Sequence, residues 1–312
     1  MDASNTEKVR VGVIGCGVFG ALHAAKYAEL SGATLVGVVD INPQTAQNVA
    51  ASHGGVVYTK AENLLAAVDA VSIVTPATAH YELAALFLRG GVHVLVEKPL
   101  ALELAHADEL ISLAENNELV LQVGHQERYV VEDLGILSRQ IAPVSIESHR
   151  VGPFTGRATD VCAVLDLMIH DLDIIHKVIK ADVIEVDAVA KSVYGDRPDE
   201  VSATLAFDDG ATASILASRV SSDKRRDMRF TYPDGVIEID FLKRVARNST
   251  NVQLASNFDQ SSTISDALTD PLRFGMQCFI DSVRLGLPAR VSGREARRAL
   301  ETALMITDRL TA

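Results

Sequence analysis

Residues 9–20 read VRVGVIGCGVFG, a run of mostly apolar residues that continues into a glycine-rich turn. The apolar run predicts a buried strand. The three glycines have the Gly-x-Gly-x-x-Gly spacing: Gly15, Gly17 and Gly20. A helical run begins near Ala21, a second apolar strand covers residues 35–39, and Asp40 follows that strand directly. Strand, glycine turn, helix, strand and acid in this order are typical of a dinucleotide-binding βαβ unit.

Each glycine of this turn has a physical reason. Gly15 allows the tight turn, Gly17 lets the backbone approach a pyrophosphate, and Gly20 lets helix and strand pack closely. The helix N-terminus then offers N–H groups and a partial positive charge to the phosphates. Val18 and Phe19 complete the predicted cofactor-binding turn.

Asp40 indicates which dinucleotide binds. Its carboxylate can accept hydrogen bonds from the adenosine ribose hydroxyls, and it would repel a 2′-phosphate. The next residues, 41–43, read INP and supply no Arg or Lys for that phosphate. We therefore expect NAD rather than NADP as the cofactor.

The composition argues against several other classes of protein. The 312 residues suffice for two domains, and 48% hydrophobic and 22% charged residues indicate a globular protein. A net charge of −12 argues against nucleic acid or an anionic membrane as a partner. The three cysteines are widely spaced and match no zinc pattern, so no bound metal is expected. Cysteines without a disulfide framework and the lack of an N-terminal signal pattern predict a cytoplasmic protein. No apolar run approaches the length of a membrane span.

The first part of the chain, from residue 9 to about residue 125, alternates short apolar strands with helical segments. This alternation indicates a parallel sheet covered on both faces, with ligands at the C-terminal strand ends. We expect an α/β fold whose N-terminal domain, residues 1–124, is a doubly wound Rossmann sheet.

The second part has long alternating strands rich in Val, Ile and Thr, and a helix near residues 161–179. Two helices, near 271–285 and 293–310, close the chain. We expect an α+β domain over residues 125–312 with a large open, mainly antiparallel sheet, and a C-terminal helix that packs back on the first domain. An open sheet must cover its apolar face with helices or a second subunit. We therefore expect a homodimer or homotetramer formed through this sheet.

A lysine follows the strand predicted at residues 92–96, in the sequence Glu97-Lys98-Pro99. At the C-terminal end of a parallel strand, Lys98 would lie where a nicotinamide binds. It is suited there to proton transfer or to polarising a hydroxyl, and Pro99 restricts its backbone. A solvated lysine at a strand end fits the spacing equally well.

Asp166, His170 and Asp173 are four and three residues apart in a mostly apolar helical segment. At 3.6 residues per turn they share one face with Lys177. A carboxylate one turn from a histidine can orient the ring and support its imidazolium form, as general acid–base catalysis requires. A solvated polar face and a metal site are the alternatives, and for a metal the helix offers only ordinary carboxylates as further ligands.

Together these residues resemble the glucose–fructose oxidoreductase/inositol dehydrogenase (Gfo/Idh/MocA) family over essentially the whole chain. Besides the glycine turn, the resemblance is carried by Thr75-Pro76 with His80, Glu97-Lys98-Pro99, GHQERY at residues 124–129, and Asp166-x-x-x-His170 with Asp173. It implies a Rossmann domain joined to an open-sheet domain, and a catalytic site of Lys98, Asp166 and His170. It also implies these cofactor contacts: Thr75, Pro76, His80, Glu97, Lys98 and Gln126.

A narrower likeness is to the family's UDP-N-acetylglucosamine 3-dehydrogenases, which oxidise the sugar 3-hydroxyl on the route to amino sugars of lipid A precursors. It rests on residues 149–161 and on LDLMIHDLD at residues 165–173, whereas Tyr-Val-Val at 129–131 departs from the Phe-Asn-Pro common in that group. Arginines such as Arg150 and Arg157 could neutralise a diphosphate. The predicted substrate-binding set is Lys98, Arg128, Arg150, Arg157, Asp166 and His170.

The sequence therefore predicts NAD-dependent oxidation of a secondary hydroxyl of a nucleotide sugar, with the 3-hydroxyl of UDP-N-acetylglucosamine as the expected target. The hydride would pass to the nicotinamide while Lys98 or His170 takes the hydroxyl proton, and the sequence does not rank these two. An inositol or simple-sugar dehydrogenase is the first alternative. The second is a non-catalytic NAD(H)-binding regulator, against which the intact Lys98, Asp166 and His170 argue.

Overall fold

The computed structural model describes residues 7–156, 159–256, 258 and 265–311. The chain divides into two compact units. Unit 1 comprises Met1–His125 and Leu272–Arg297, and unit 2 comprises Gln126–Pro271 and Arg298–Ala312. Within the described part of the chain, no helix has the length and apolar character needed to cross a membrane.

Unit 1 is built on a parallel sheet. Its strands are β1 (Val9–Ile14), β2 (Ala33–Val39), β3 (Val56–Tyr58), β4 (Ala70–Ile73), β5 (His93–Val96) and β6 (Leu121–Val123). The intervening helices are α1 (Val18–Glu29), α2 (Pro43–His53), α3 (His80–Arg89) and α4 (Leu104–Asn116), with 3-10 turns at Ala61–Ala67 and Ala77–Ala79. The six strands are parallel in the order β3-β2-β1-β4-β5-β6. This is the order of a doubly wound dinucleotide-binding sheet, so the predicted Rossmann fold is confirmed.

The centre of this sheet explains why its strands read as apolar runs. β1 pairs with β2 on one edge and with β4 on the other, and all of its residues except Arg10 are buried. Because helices cover both faces, successive side chains meet apolar surroundings on either side. α1 begins at Val18, three residues earlier than the sequence predicted.

Unit 2 contains the open sheet. Its strands are β7 (Ser145–Val151), β8 (Val183–Lys191), β9 (Glu200–Phe207), β10 (Thr212–Ser218), β11 (Arg225–Tyr232), β12 (Gly235–Asp240) and β13 (Val245–Asn248). They form one sheet in the order β13-β12-β11-β7-β10-β9-β8. Only the β7–β10 pair is parallel among these strands, and the other neighbours are antiparallel. The predicted large, mainly antiparallel sheet is confirmed.

The helices of unit 2 are α5 (Glu127–Asp133), α6 (Ile169–Val178) and α7 (Asp266–Thr269). α5 contacts both α6 and α7, and the turn that precedes α6 contacts β10. The sheet face that this packing covers is apolar, with Ile146, Leu205, Ile215, Phe230 and Ile237 fully buried.

Two local features of unit 2 go beyond the sequence prediction. The helix expected near residues 161–179 is present, but Val164–Met168 within it is a π-helical turn and α6 is α-helical from Ile169. Apolar residues three and four apart fit both geometries, so the sequence pattern did not distinguish them. α5 was not expected, since seven residues are too few for a clear helical period.

The last two helices are α8 (Pro271–Leu285) and α9 (Gly293–Thr311). Met276, Phe279 and Ile280 of α8 belong to the hydrophobic core around β1. In the first turns of α9, Arg294 pairs with Glu115 and Arg297 with Asp108, both on α4. Further along α9, Thr302 hydrogen bonds to His176 of α6 at 2.7 Å. α9 thus contributes residues to the packing of each unit.

Candidate active site

The glycine turn between β1 and α1 has a conformation that needs its glycines. Gly15 has a φ of +89°, and a Cβ there would lie 2.6 Å from the Val74 carbonyl oxygen. A Cβ on Gly20 would overlap the carbonyl oxygen of Gly15. A Cβ on Gly17 would meet no protein atom within 4 Å. Gly15 and Gly20 therefore serve the fold, and Gly17 borders open space.

The N-terminus of α1 faces that turn without a side-chain cap. Gly17 is the N-cap residue and provides no side-chain acceptor, and Val18 and Phe19, which follow it, are both exposed. The first N–H groups of a helix have no partner within the helix, so they can bind an anion.

Asp40, at the end of β2, is brought directly to this turn. Its Oδ2 accepts a hydrogen bond from the Cys16 N–H at 2.6 Å, and its Oδ1 accepts one from the Asn42 N–H at 2.8 Å. The carboxylate therefore shapes the turn in addition to its predicted contact with a ribose. Burial, together with the charge of Asp40, raises the pKa of Cys16 to about 12, so this cysteine is an unreactive thiol.

His80 links the ends of β4 and β5. Its Nδ1 lies 2.7 Å from the Pro99 carbonyl oxygen and its Nε2 lies 3.0 Å from the Thr75 carbonyl oxygen. Burial lowers the pKa of His80, although both carbonyl groups oppose this shift. His80, a predicted cofactor contact, thus connects the segment after β4, which contains Thr75 and Pro76, to the segment after β5, which contains Pro99.

Glu97 is buried against Gly124, and Lys98 beside it is half-buried. A Cβ on Gly124 would overlap the Glu97 carboxylate, so the Gly at the end of β6 makes room for this acid. His23 Nε2 of α1 lies 3.3 Å from Glu97 Oε1. Burial acts to raise the pKa of Glu97, but His23 and Lys98 outweigh it and the pKa lies below its usual value. Sequence reasoning missed His23, since one histidine in an apolar helix carries no signal of its partner.

In unit 2, Asp166 and His170 are both half-buried. Asp166 lies in the π-helical turn and His170 in the first turn of α6. π-Helical turns are frequent at functional sites. Asp173, which is expected on the same helix face, is buried in an ion pair with Arg128, so the alternative of a solvated polar face does not hold for this residue.

The three predicted substrate-binding arginines differ in their surroundings. Arg128 is buried against Asp173, and Arg150 is buried against Asp171 and Glu127. Burial acts to lower the pKa of Arg150, but the two carboxylates outweigh it and raise the pKa above its usual value. Arg157 lies outside the described residues. Gln126, the remaining predicted cofactor contact, is half-buried and directly precedes α5.

The comparisons with known proteins cover almost the whole chain. The model described as "Oxidoreductase family, NAD-binding Rossmann fold" matches residues 9–125, and that of the GFO/IDH/MocA C-terminal domain matches residues 143–238. UDP-N-acetylglucosamine 3-dehydrogenase of Acidithiobacillus ferrooxidans is 35% identical over 305 residues, which is 96% of each chain. The chain belongs to the Gfo/Idh/MocA family.

A solved structure of the Acidithiobacillus ferrooxidans enzyme and one further relative also bear on the function. The solved structure of the Acidithiobacillus ferrooxidans enzyme has a TM-score of 0.87 and 34% identity to this chain, covering 97% of this chain and 98% of that one. Myo-inositol dehydrogenase Hyg17 of Streptomyces leeuwenhoekii is 30% identical over 227 residues, 67% of this chain and 69% of that protein. This Gfo/Idh/MocA protein is an NAD-dependent oxidoreductase, and the predicted cofactor is confirmed.

The glycine turn fits this cofactor. Open space beside Gly17, the uncapped N-terminus of α1 and the Asp40 carboxylate are three features that a pyrophosphate and an adenosine ribose require. Bound NAD supplies the hydride acceptor, and the side chains of this chain supply orientation and a path for the proton.

Gly17→Ala and Gly20→Ala should separate cofactor binding from folding. The Gly17→Ala methyl meets no protein atom, so the unfolding temperature should be unchanged, but NAD affinity should fall by about tenfold or more because the methyl blocks the pyrophosphate. Gly20→Ala should lower the unfolding temperature itself. Calorimetric titration with NAD and circular dichroism measure the two effects.

Gly195→Ala is the control, since a Cβ there also meets open space but lies in unit 2. It should match the wild-type protein in both measurements. Wild-type NAD affinity in Gly17→Ala would remove this residue from the cofactor site.

Proposed function

We propose that this protein oxidises a secondary hydroxyl of a nucleotide sugar with NAD, and that the hydroxyl is the 3-hydroxyl of UDP-N-acetylglucosamine. The observation that carries the proposal is the near full-length, 35% identity to a UDP-N-acetylglucosamine 3-dehydrogenase. The retained Glu97-Lys98-Pro99 and Asp166-x-x-x-His170 motifs support it, because a dehydrogenase needs a group that accepts the hydroxyl proton.

Lys98 and His170 are the two candidates for the group that accepts the hydroxyl proton. Lys98 follows β5, and His170 lies in the first turn of α6. Each is half-buried, so each combines some access for a substrate with a fixed surrounding. One of them takes the hydroxyl proton as the hydride leaves the carbon, and Asp166 orients the imidazole.

Substrate binding is proposed to involve Arg157 and the three catalytic candidates, which are Lys98, Asp166 and His170. Arg128 and Arg150 are bound by carboxylates of their own unit, so their charges are already matched. The predicted substrate contact of Arg128 and the predicted diphosphate contact of Arg150 therefore stay predictions, and another role for both is argued below.

The second candidate function is oxidation of an inositol, favoured by the identity to myo-inositol dehydrogenase Hyg17. A turnover assay separates the two candidates. NADH formation is followed by absorbance with UDP-N-acetylglucosamine, UDP-glucose and myo-inositol at matched concentrations. We expect the highest kcat/KM with UDP-N-acetylglucosamine. Preference for myo-inositol would overturn the nucleotide-sugar proposal, and no turnover with any of the three would favour the non-catalytic regulator.

Lys98→Met and His170→Asn test the catalytic assignment. Lys98→Met keeps the apolar stem, and His170→Asn keeps hydrogen bonding without acid–base capacity. Each should lower kcat by roughly 10²–10⁴-fold with little change in NAD affinity. If the two groups act as one unit, the double variant should lose far less than the product of the single losses.

The matched controls are Lys60→Met and His53→Asn, which make the same chemical changes at an exposed and a half-buried residue of unit 1 outside the predicted site. Both should keep the wild-type kcat. Wild-type turnover in both Lys98→Met and His170→Asn would contradict the assignment.

We also propose that the protein is a cytoplasmic homodimer or homotetramer joined through the outer face of the open sheet. On that face, Ser202 and Thr204 of β9 and Ser214 of β10 are exposed, and Val189 of β8, which pairs with Ser202, is 67% exposed. Small side chains let two sheets approach closely, and exposed apolar ones favour burial against a partner. All three cysteines, which lie in the described part of the chain, are thiols, as a reducing compartment requires.

Ser214→Arg combined with Thr204→Arg tests this assembly, because the two residues are paired neighbours on β10 and β9. Two charges at the centre of the face should convert the oligomer to a monomer in light scattering. Asn116→Arg, an exposed site on α4, is the control and should leave the mass unchanged. A monomeric wild-type protein would contradict the proposal.

A further inference from the structure

We propose that Arg128 and Arg150 are positioning residues that fix the rotation of α6 and thereby the direction of the His170 side chain. This inference rests on the proposed role of His170 in proton transfer. It concerns two ion pairs, Arg128–Asp173 and Arg150–Asp171, which we call the α6 clamp.

The first pair joins α5 to α6. Arg128 Nε donates to Asp173 Oδ2 at 2.8 Å, and a terminal nitrogen of the same guanidinium donates to Asp173 Oδ1. The two side chains are 2% and 0% exposed. Two parallel hydrogen bonds from a planar guanidinium to a carboxylate fix the angle between the groups as well as their distance.

The second pair joins β7 to α6 in the same way. Arg150 Nε donates to Asp171 Oδ2 at 3.0 Å, and a terminal nitrogen donates to Asp171 Oδ1 at 2.7 Å. Both side chains are buried. Since Arg150 belongs to β7, the middle strand of the open sheet, this pair ties α6 to the centre of that sheet.

Glu127 extends the second pair and is the sequence neighbour of Arg128 in the first. It accepts from Arg150 at 3.1 Å and from Arg226 of β11 at 2.9 Å, and it directly precedes Arg128 in α5. Burial acts to raise the pKa of Glu127, but Arg150 and Arg226 outweigh it and keep the pKa below its usual value. The network therefore matches each buried carboxylate with a guanidinium.

The positions of the two aspartates around α6 give the clamp its effect on His170. Successive residues of an α-helix are rotated by about 100°. Asp171 therefore projects about 100° to one side of His170, and Asp173 projects about 60° to the other side. A helix held on both flanks of one side chain cannot rotate without breaking a bidentate pair, so the direction of His170 is fixed.

The local backbone makes such a restraint useful. α6 follows a π-helical turn, Val164–Met168, whose wider hydrogen-bond pattern changes the helical register just before His170. A buried ion pair is weak support for stability, because apolar side chains of similar volume often serve as well. Two such pairs flanking one residue are better explained by the geometry that they impose.

Arg128→Lys and Arg150→Lys are the test variants. Each keeps the positive charge, so no carboxylate is left unmatched, but a lysine replaces the two-point contact by one. We expect kcat to fall by about tenfold to a hundredfold, because a shift of about 1 Å in a reacting group can have that effect. NAD affinity, which depends on unit 1, should be unchanged.

Arg139→Lys is the matched control. Arg139 is also a buried guanidinium of unit 2 paired with an aspartate, Asp234, but this pair lies at the β11–β12 turn and does not include α6. This variant should lose thermal stability to a similar degree and keep its kcat. Equal losses of kcat in Arg139→Lys and in the two clamp variants would overturn the inference.

The same substitutions in the His170→Asn background separate positioning from general structural support. If the clamp acts through His170, Arg128→Lys should change kcat by less than about twofold once the imidazole is gone. An undiminished tenfold loss in that background would overturn the inference. Where a lysine variant fails to fold, the double variant Arg128→Gln with Asp173→Asn replaces it, because it removes the charge from both partners. Its kcat is then compared in the wild-type and His170→Asn backgrounds in the same way.

The outcomes also distinguish this inference from the proposed function. Wild-type kcat in His170→Asn overturns the catalytic role and the inference with it. A strongly impaired His170→Asn together with fully active Arg128→Lys and Arg150→Lys overturns the clamp alone.

Discussion

The carbonyl oxygen of Gly15 occupies the space where a side chain on residue 20 would begin. This close approach lets α1 start directly at the carboxyl end of β1, so the uncapped end of the helix lies at the edge of the sheet where ligands bind. Asp40 then closes the turn by accepting the Cys16 N–H. The cofactor side of the protein therefore depends first on a backbone contact and only then on side chains.

Unit 2 positions its functional residues by a different kind of constraint. Its candidate catalytic helix is fixed by buried charges, with Arg128 on Asp173 and Arg150 on Asp171. Removing one partner of a buried pair leaves an uncompensated charge, which is strongly destabilising. Such pairs tolerate little change in geometry, so α6 has a defined orientation relative to β7 and α5.

These two kinds of constraint explain how much could be predicted from the sequence. Backbone constraints leave local signals: the apolar run and the glycine spacing of residues 9–20 predicted the strand β1 and the turn that follows it. Side-chain pairs leave no local signal, because Arg128 is 45 residues from Asp173 and Arg150 is 21 residues from Asp171. The sequence therefore missed the Arg128–Asp173 pair in unit 2 and the His23–Glu97 pair in unit 1, and it did not distinguish the π-helical turn. It predicts candidate residues in both units, but not the charged partners that surround them.

The difference between backbone constraints and side-chain pairs also bears on substrate choice. The glycine turn, Asp40 and the Glu97-Lys98-Pro99 step are proposed to serve a cofactor and a hydride transfer that sugar and inositol oxidation share, and in those roles they select the reaction type rather than the substrate. Discrimination between a nucleotide sugar and an inositol needs contacts to the parts of the substrate that differ. In unit 2, Phe154 precedes the π-helical turn and stacks on Tyr194, which follows β8, with ring centroids 3.9 Å apart. Neither ring belongs to α6 or to the clamp, so substitutions at these two positions leave both ion pairs that hold α6 in place.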